Sequence, residues 1–247
     1  MKVSDLGTGK YNAPPVIDVL RRSLRAAKNA LVPDKVVIRT IKAGFAKGAK
    51  LPMNLRYKSH VWMGLYEKEV ADWMQRAVKP DTIFYDLGAG YGYYAAAVGL
   101  RASMGKVYAF EFDPTQVPLL RQAIKANQLG KIIEVFELEV SDRTVEGRSI
   151  TLDDFMADHS PLAPTLVKLD VEGAEYRILQ GASRMVTEHK PTFFIETHSE
   201  QVDDECAELL RSAGYALEFR EQDKTQYGPR PIDFNRWIWA EHPDRGV

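Results

Sequence analysis

Asp86 stands just ahead of three alternating glycines in Thr82-Ile83-Phe84-Tyr85-Asp86-Leu87-Gly88-Ala89-Gly90-Tyr91-Gly92. An apolar, β-favouring run that enters glycines and then alanines reads as a buried strand turning into a helix, where glycine lets backbone approach a ligand closely and permits positive φ. Two ligand classes use such a turn. A dinucleotide takes G-x-G-x-x-G with its phosphates on the helix N-terminus. Counted from Gly88, Tyr93 fills the third glycine position, and the Asp86 carboxylate would stand beside the diphosphate. An acidic strand end suits a ligand with a cationic amino group instead. A purely structural turn is the plain alternative, although helix capping does not require three alternating glycines.

Further candidates end other apolar runs. Glu111, in Phe110-Glu111-Phe112-Asp113-Pro114, lies 23 residues after Gly88, a spacing that suits a carboxylate holding both ribose hydroxyls of an adenosine. That spacing fits NAD as well. Ser141 and Asp142 offer acceptors for an adenine amino group, or Asp142 is a turn residue or cap. Lys168, Asp170 and Glu172, with Glu196 and His198, supply acids and bases at two adjacent strand ends. Groups of these types can act as a general base or hold a cation. His198, whose ordinary pKa is about 6.5, is the favoured base. Asp170, Glu196 and His198 are the alternative, a magnesium site, although histidine is an unusual ligand for that ion. A Lys168–Asp170 ion pair and helix capping by Glu172 are the structural readings of the same residues.

These groups need a scaffold that brings strand ends together. Strands are predicted over 83–87, 106–112, 132–140, 165–170 and 192–197, separated by helices over 93–103, 116–128, 174–185 and 203–213. Such alternation implies a parallel sheet with right-handed crossovers and ligands beyond the carboxyl ends of the strands. Two last strands, 215–221 and 234–240, have no helix between them and form an antiparallel hairpin around the loop at 227–231. Ahead of the sheet, helices are expected over 16–31, 35–50 and 62–78.

The chain has 247 residues, 45% hydrophobic and 27% charged, which is ordinary for a soluble globular protein. No apolar run approaches the roughly 20 residues of a membrane span, and Met1-Lys2-Val3-Ser4-Asp5 opens no secretory signal, so a cytoplasmic protein is expected. Cys206, the single cysteine, excludes intramolecular disulfides and cysteine-rich zinc sites. Residues 1–60 carry thirteen Lys and Arg against three Asp, a charge of +10, leaving −11 for the remainder. A basic arm on an acidic body recruits an anionic substrate, nucleic acid or membrane surface, or simply pairs with the body.

The turn Asp86-Leu87-Gly88-Ala89-Gly90-Tyr91-Gly92 resembles the first motif of class I S-adenosylmethionine-dependent methyltransferases. With Gly64-Leu65-Tyr66-Glu67, Val140-Ser141-Asp142, Ile150-Thr151-Leu152-Asp153-Asp154-Phe155, Leu166–Glu175 and Ile195-Glu196-Thr197-His198, the chain over about 61–215 resembles the FkbM family of these enzymes. It departs from the family's usual Glu-Pro at Glu111-Phe112-Asp113-Pro114. The resemblance implies an α/β fold, a doubly wound, mostly parallel seven-stranded Rossmann-like sheet with an antiparallel C-terminal hairpin, over 61–247, after a basic, mostly helical extension over 1–60. It implies S-adenosylmethionine bound by Glu67, Asp86, Gly88, Ala89, Gly90, Tyr91, Gly92, Glu111, Phe112, Ser141, Asp142 and Asp170. It also implies methyl transfer to a hydroxyl of a small molecule or saccharide, with His198, Asp170, Glu172 and Lys168 as the catalytic set. An RNA-directed or noncatalytic cofactor-binding protein and an NAD-dependent oxidoreductase are the competing readings. No Asn/Asp-Pro-Pro-Tyr follows the fourth strand and Cys206 lies on a predicted helix, which argues against methylation of nucleobases.

Overall fold

The computed structural model describes residues 31–222 and 234–244. The predicted basic helix over 16–31, apart from its last residue, and the loop at 227–231 lie outside the described residues. In chain order the first elements are β1 Val37–Thr40, β2 Lys50–Met53, α1 Leu55–Met63, α2 Ala71–Ala77, β3 Ile83–Leu87, α3 Tyr93–Gly99, β4 Lys106–Phe110, α4 Val117–Asn127 and β5 Ile133–Phe136. They are followed by β6 Glu139–Val140, β7 Ser149–Ile150, α5 Leu152–His159, β8 Leu166–Leu169, α6 Glu175–Gln180, a π-helical turn Met185–His189, β9 Thr192–Thr197, α7 Glu200–Ser212, β10 Ala216–Glu221 and β11 Arg236–Glu241.

Seven strands make one sheet in the order β10-β11-β9-β8-β3-β4-β5. β3, β4, β5, β8 and β9 pair in parallel, while β11 runs antiparallel to both its neighbours. Strand order therefore reverses between β3 and β8, the place where open α/β sheets bind ligands.

Alternation along each strand divides the core into two layers. Phe84, Leu166 and Phe194 join α2, α3 and α4 through Trp73, Met74, Ala95, Ala96 and Leu120. Tyr85, Leu87, Val167, Phe193 and Ile195 pack with Phe155, Ile178, Ala207 and Leu210 from α5, α6 and α7. Helices thus cover both faces, the arrangement expected from the sequence.

Several local predictions differ. Residues 35–50, expected to be helical, contribute to the hairpin of β1 and β2, as suits the β-branched run Val36-Val37-Ile38. Asn127, at the end of α4, ties this hairpin down like a neighbouring strand: it accepts from the Lys50 amide at 2.8 Å and donates to the Lys50 carbonyl at 2.7 Å. The helix expected over 62–78 is broken between α1 and α2. Gly64, at φ 81°, caps α1 by donating to the carbonyls of His60 and Val61, and an added Cβ there would lie 2.2 Å from the Ala43 carbonyl. The strand expected over 132–140 stops at Phe136, and β6 pairs with β7 in a separate two-stranded sheet. The helix expected over 174–185 ends at Gln180, ahead of the π-helical turn. α5, which was not predicted, starts where the Thr151 hydroxyl accepts from the Asp154 amide at 3.0 Å. Ser199 likewise caps α7, moving its start ahead of residue 203. No helix among the described residues is long and apolar enough to cross a membrane.

Candidate active site

Strand register builds a buried charge cluster. Asp86 pairs directly with Lys168 across β3 and β8, and Lys168 with Phe194 across β8 and β9. Since Phe84, Leu166 and Phe194 share one layer, the period of two places Asp86, Lys168 and Glu196 on the same face of three adjacent strands. The Lys168 ammonium lies 3.2 Å from Asp170 Oδ2, 3.9 Å from Asp86 Oδ1 and 5.1 Å from the centre of the Tyr94 ring. Glu67 enters from the break between α1 and α2, at φ 44°, and accepts from the Tyr94 hydroxyl. Asn235 donates to Glu196 Oε1 at 2.6 Å. The side chains of Glu67, Asp86, Lys168 and Glu196 are all buried.

One ammonium faces four carboxyl groups, and Asp86, Glu196 and Glu67 are raised above the ordinary carboxylate range. Burial, against the attraction of Lys168 and with the added charge of Asp170, pushes Asp86 up to about 6. Burial and then the charges of Glu67 and Asp170 push Glu196 up to about 8. Burial, then Asp170, also raises Glu67, although Lys168 and the Tyr66 and Tyr94 hydroxyls oppose it. Burial alone would lower Lys168, but Asp170, Asp86, Glu67 and Glu196 hold it above its ordinary value. A site with this excess of carboxylate takes up protons or a cationic ligand.

His198 stands at the edge of the cluster as one half of a dyad. Its Nδ1 lies 3.1 Å from Glu175 Oε1, while Nε2 lies 3.7 Å from both Asp170 and Glu172. Glu175 is fully buried and accepts from the Gly173 amide at 3.0 Å, so its position is set by the turn after β8. That turn holds Glu172 at φ 56° and Gly173 at φ 103°. Burial pulls the His198 pKa down, but the Glu175 hydrogen bond and the charges of Glu196, Glu175 and Asp170 outweigh it and lift it to about 9. The carboxylate that holds the turn amides is therefore Glu175, and Glu172 is largely exposed instead of capping α6.

The glycine turn lies against the same strand ends. Gly88, at φ 75°, passes so close to β8 that an added Cβ would stand 1.9 Å from the Asp170 carbonyl. At Gly90, φ 53°, an added Cβ meets nothing within 4 Å, so the turn is open on that side. The Gly88 and Ala89 amides donate to the Phe110 carbonyl, and the Gly90 amide donates to Glu111 Oε2 at 2.7 Å. With the Asp113 amide 2.8 Å from Oε1, Glu111 is fixed at the end of β4 and keeps lone pairs for a diol. Phe112 beside it is two-thirds exposed, at 66%.

Fit to S-adenosylmethionine rests on Asp86. Both its oxygens are buried without a well-formed hydrogen bond, the Lys168 ammonium standing 3.9 Å from Oδ1. Buried carboxylate oxygens are costly when unpaired, and an ammonium group satisfies them. Glu67 Oε1 is a further buried oxygen without a well-formed hydrogen bond. The residues present therefore fit a ligand with a cationic amino group and an adenosine diol.

Of the sequence candidates, Glu67, Asp86, Lys168, Asp170, Glu196 and His198 come together, with Glu172 at the rim. Gly88 to Gly92 and Glu111 line the adjoining turn. Asp142 accepts at Oδ1 from Arg177 Nη2 at 2.7 Å and from the Ser141 hydroxyl at 3.0 Å, and these bonds, Arg177 first, hold its pKa down to about 2. Asp170, Glu196 and His198 offer ligand atoms within 4.8 Å of one another, the set named for magnesium, with the Lys168 ammonium 3.2 Å from Asp170. Sequence reasoning missed Glu175, Tyr94 and Asn235. Glu175 carried a signal, an acid in the first turn of a helix; Asn235 lies 39 residues from Glu196 and carried none.

Residues 131–217 match the methyltransferase FkbM domain, and residues 56–159 match the TRM5/TYW2 methyltransferase domain. A ribosomal protein L11 methyltransferase of Geobacillus kaustophilus is 24% identical over 145 residues, 59% of this chain and 41% of its own length. One from Alkaliphilus oremlandii is 25% identical over 34% of this chain and 27% of its own. The chain thus spans less than half the length of the curated relatives it matches. Among solved structures, methyltransferase FkbM from Methylobacillus flagellatus aligns at 21% identity and TM-score 0.53 over 65% of this chain and 44% of its own. M. jannaschii TYW2, solved with AdoMet, aligns at 15% identity and TM-score 0.54 over 85% and 86%. At these identities the structures bear on the fold alone. In sequence over residues 131–217, and in the fold of the sheet, the chain resembles the FkbM family of methyltransferases, as its motifs implied.

Proposed function

We propose that this chain is an S-adenosylmethionine-dependent methyltransferase acting on a hydroxyl oxygen of a small molecule or saccharide. The observation that carries the cofactor assignment is Asp86, a buried carboxylate with no well-formed hydrogen bond and the Lys168 ammonium only within 3.9 Å, at the end of the strand that enters the glycine turn. Glu111 holds the ribose diol in this reading, and Glu67 adds negative charge around the cationic end. Bound there, S-adenosylmethionine supplies an electrophilic methyl group and a positive charge that offsets the carboxylate field.

The acceptor chemistry falls to the dyad. Glu175 fixes the His198 ring, leaving Nε2 toward Asp170 and Glu172. Without a cationic ligand, a pKa of about 9 keeps a proton on His198 at neutral pH. A cation among the carboxylates lowers that value, so that Nε2 releases its proton and accepts the one leaving the acceptor hydroxyl. Lys168 and Asp170 orient each other and line the path between turn and dyad.

The test is transfer of label from methyl-labelled S-adenosylmethionine to a panel of hydroxyl compounds, with wild type and His198→Ala. His198→Ala should slow transfer by roughly 10²- to 10⁴-fold without weakening S-adenosylhomocysteine binding. Full activity in His198→Ala refutes the base. Reversible loss of turnover on chelation, with Asp170→Asn and Glu196→Gln raising the metal requirement, would assign activation to magnesium. A second reading, action on RNA, draws on the charge of +10 in residues 1–60. It predicts RNA retention that falls steeply with salt.

A further inference from the structure

Lys58 is a cation that the charge cluster does not use. It sits at a kink within α1, at φ −111° and ψ 27°, and its Nζ lies 3.1 Å from the centre of the Tyr91 ring in the glycine turn. Among the described residues no carboxylate pairs with it. Arg56, two positions earlier, lies 3.4 Å from Asp34. Burial lowers the Lys58 ammonium to about 8. The face of an aromatic ring returns only part of what such desolvation costs.

Tyr91 links this ammonium to the carboxylates. Burial first, then Tyr93 and Glu67, raise the Tyr91 phenol, so Glu67 acts on the residue whose ring carries Lys58. Gly90, the residue before Tyr91, is where the turn lies open. The turn is thus flanked by the carboxyl groups of Asp86 and Glu67 and, over its Tyr91 ring, by the Lys58 ammonium, groups complementary to a zwitterion.

We propose that Lys58 binds the carboxylate of the cofactor's amino-acid end while Asp86 receives its ammonium, an inference that rests on the cofactor reading above. The compact ammonium of lysine, with three rotatable donors on a flexible stem, suits such a partner. Lys58 then selects ligands that carry an intact amino-acid end over truncated adenosines.

The experiment is calorimetry of S-adenosylhomocysteine and of 5′-methylthioadenosine, which lacks the amino-acid end, against wild type, Lys58→Met and Lys58→Arg. Lys58→Met should weaken S-adenosylhomocysteine roughly 10- to 100-fold and leave 5′-methylthioadenosine unchanged, with Lys58→Arg recovering most of the loss. Unchanged binding of S-adenosylhomocysteine to Lys58→Met would overturn the inference. Equal weakening of both ligands would do so too, since it would mean that Lys58 only supports Tyr91 and the turn. If neither ligand binds the wild type, the cofactor reading itself fails, and this inference with it.

Discussion

Replacing Glu175 with Gln removes the charge behind His198 while keeping an oxygen for the Gly173 amide, which now donates to Glu175 Oε1 at 3.0 Å. Lifting His198 from 6.5 to about 9 means that its charged ring stabilises the fold, by on the order of 1–2 kcal/mol once screening by the solvent on its open side is allowed for. The sign follows from a raised folded pKa: the contribution is complete below about 6.5 and is lost as pH climbs through about 9. Asp86 and Glu196 are also raised, to about 6 and about 8, so they too cost stability as pH rises. A charge-assisted hydrogen bond contributes about 1.5–3 kcal/mol, so Glu175→Gln should lower the His198 titration by on the order of 1–2 pH units. Titration of the histidine ring protons by NMR, assigned with a His198→Gln sample, measures it. A wild-type His198 titrating near 6.5, or an unmoved midpoint in Glu175→Gln, would refute the dyad and the charge balance together.

The remaining predictions concern the cluster and the turn. Lys168→Met strands Asp86 and Asp170 without their shared cation and should cost on the order of 3–5 kcal/mol, more at pH 9 than at pH 5, where the carboxyls protonate instead. Urea unfolding at the two pH values checks this, and a loss independent of pH would contradict it. Gly88→Ala should unfold or badly destabilise the protein, because its Cβ meets the Asp170 carbonyl, whereas Gly90→Ala should fold and lose cofactor affinity. Calorimetry and thermal melts distinguish the pair; equal stability of the two variants would refute the difference. Glu111→Ala should weaken S-adenosylhomocysteine by about 1.5–3 kcal/mol, and unchanged affinity would remove it from the ribose site.

The sheet was legible because its strands are concentrated apolar runs between breakers. β3 and β9 fall on the predicted residues 83–87 and 192–197. The glycine turn and the acids that follow β4 and β8 were legible for the same reason, since they adjoin those runs in sequence. Less visible was whatever depends on contacts distant in sequence. The hairpin of β1 and β2 relies on Asn127, 77 residues away from Lys50. The break before α2 relies on Gly64 meeting Ala43. Likewise, Lys168 looked like half of a local pair with Asp170, and only strand register brings Asp86 opposite it. His198 looked like an ordinary base near its usual pKa; the carboxylates around it, gathered from separate segments, make it a cation in the absence of ligand.

If the glycine turn and Asp86 hold S-adenosylmethionine, the protein should melt at a higher temperature with its product bound. At about 100 times its Kd, S-adenosylhomocysteine should add about 2.7 kcal/mol of stability and raise Tm by roughly 5–10 °C. Asp86→Asn should abolish most of that rise, and NAD should produce none. A melting temperature that responds to NAD but not to S-adenosylhomocysteine would contradict the account.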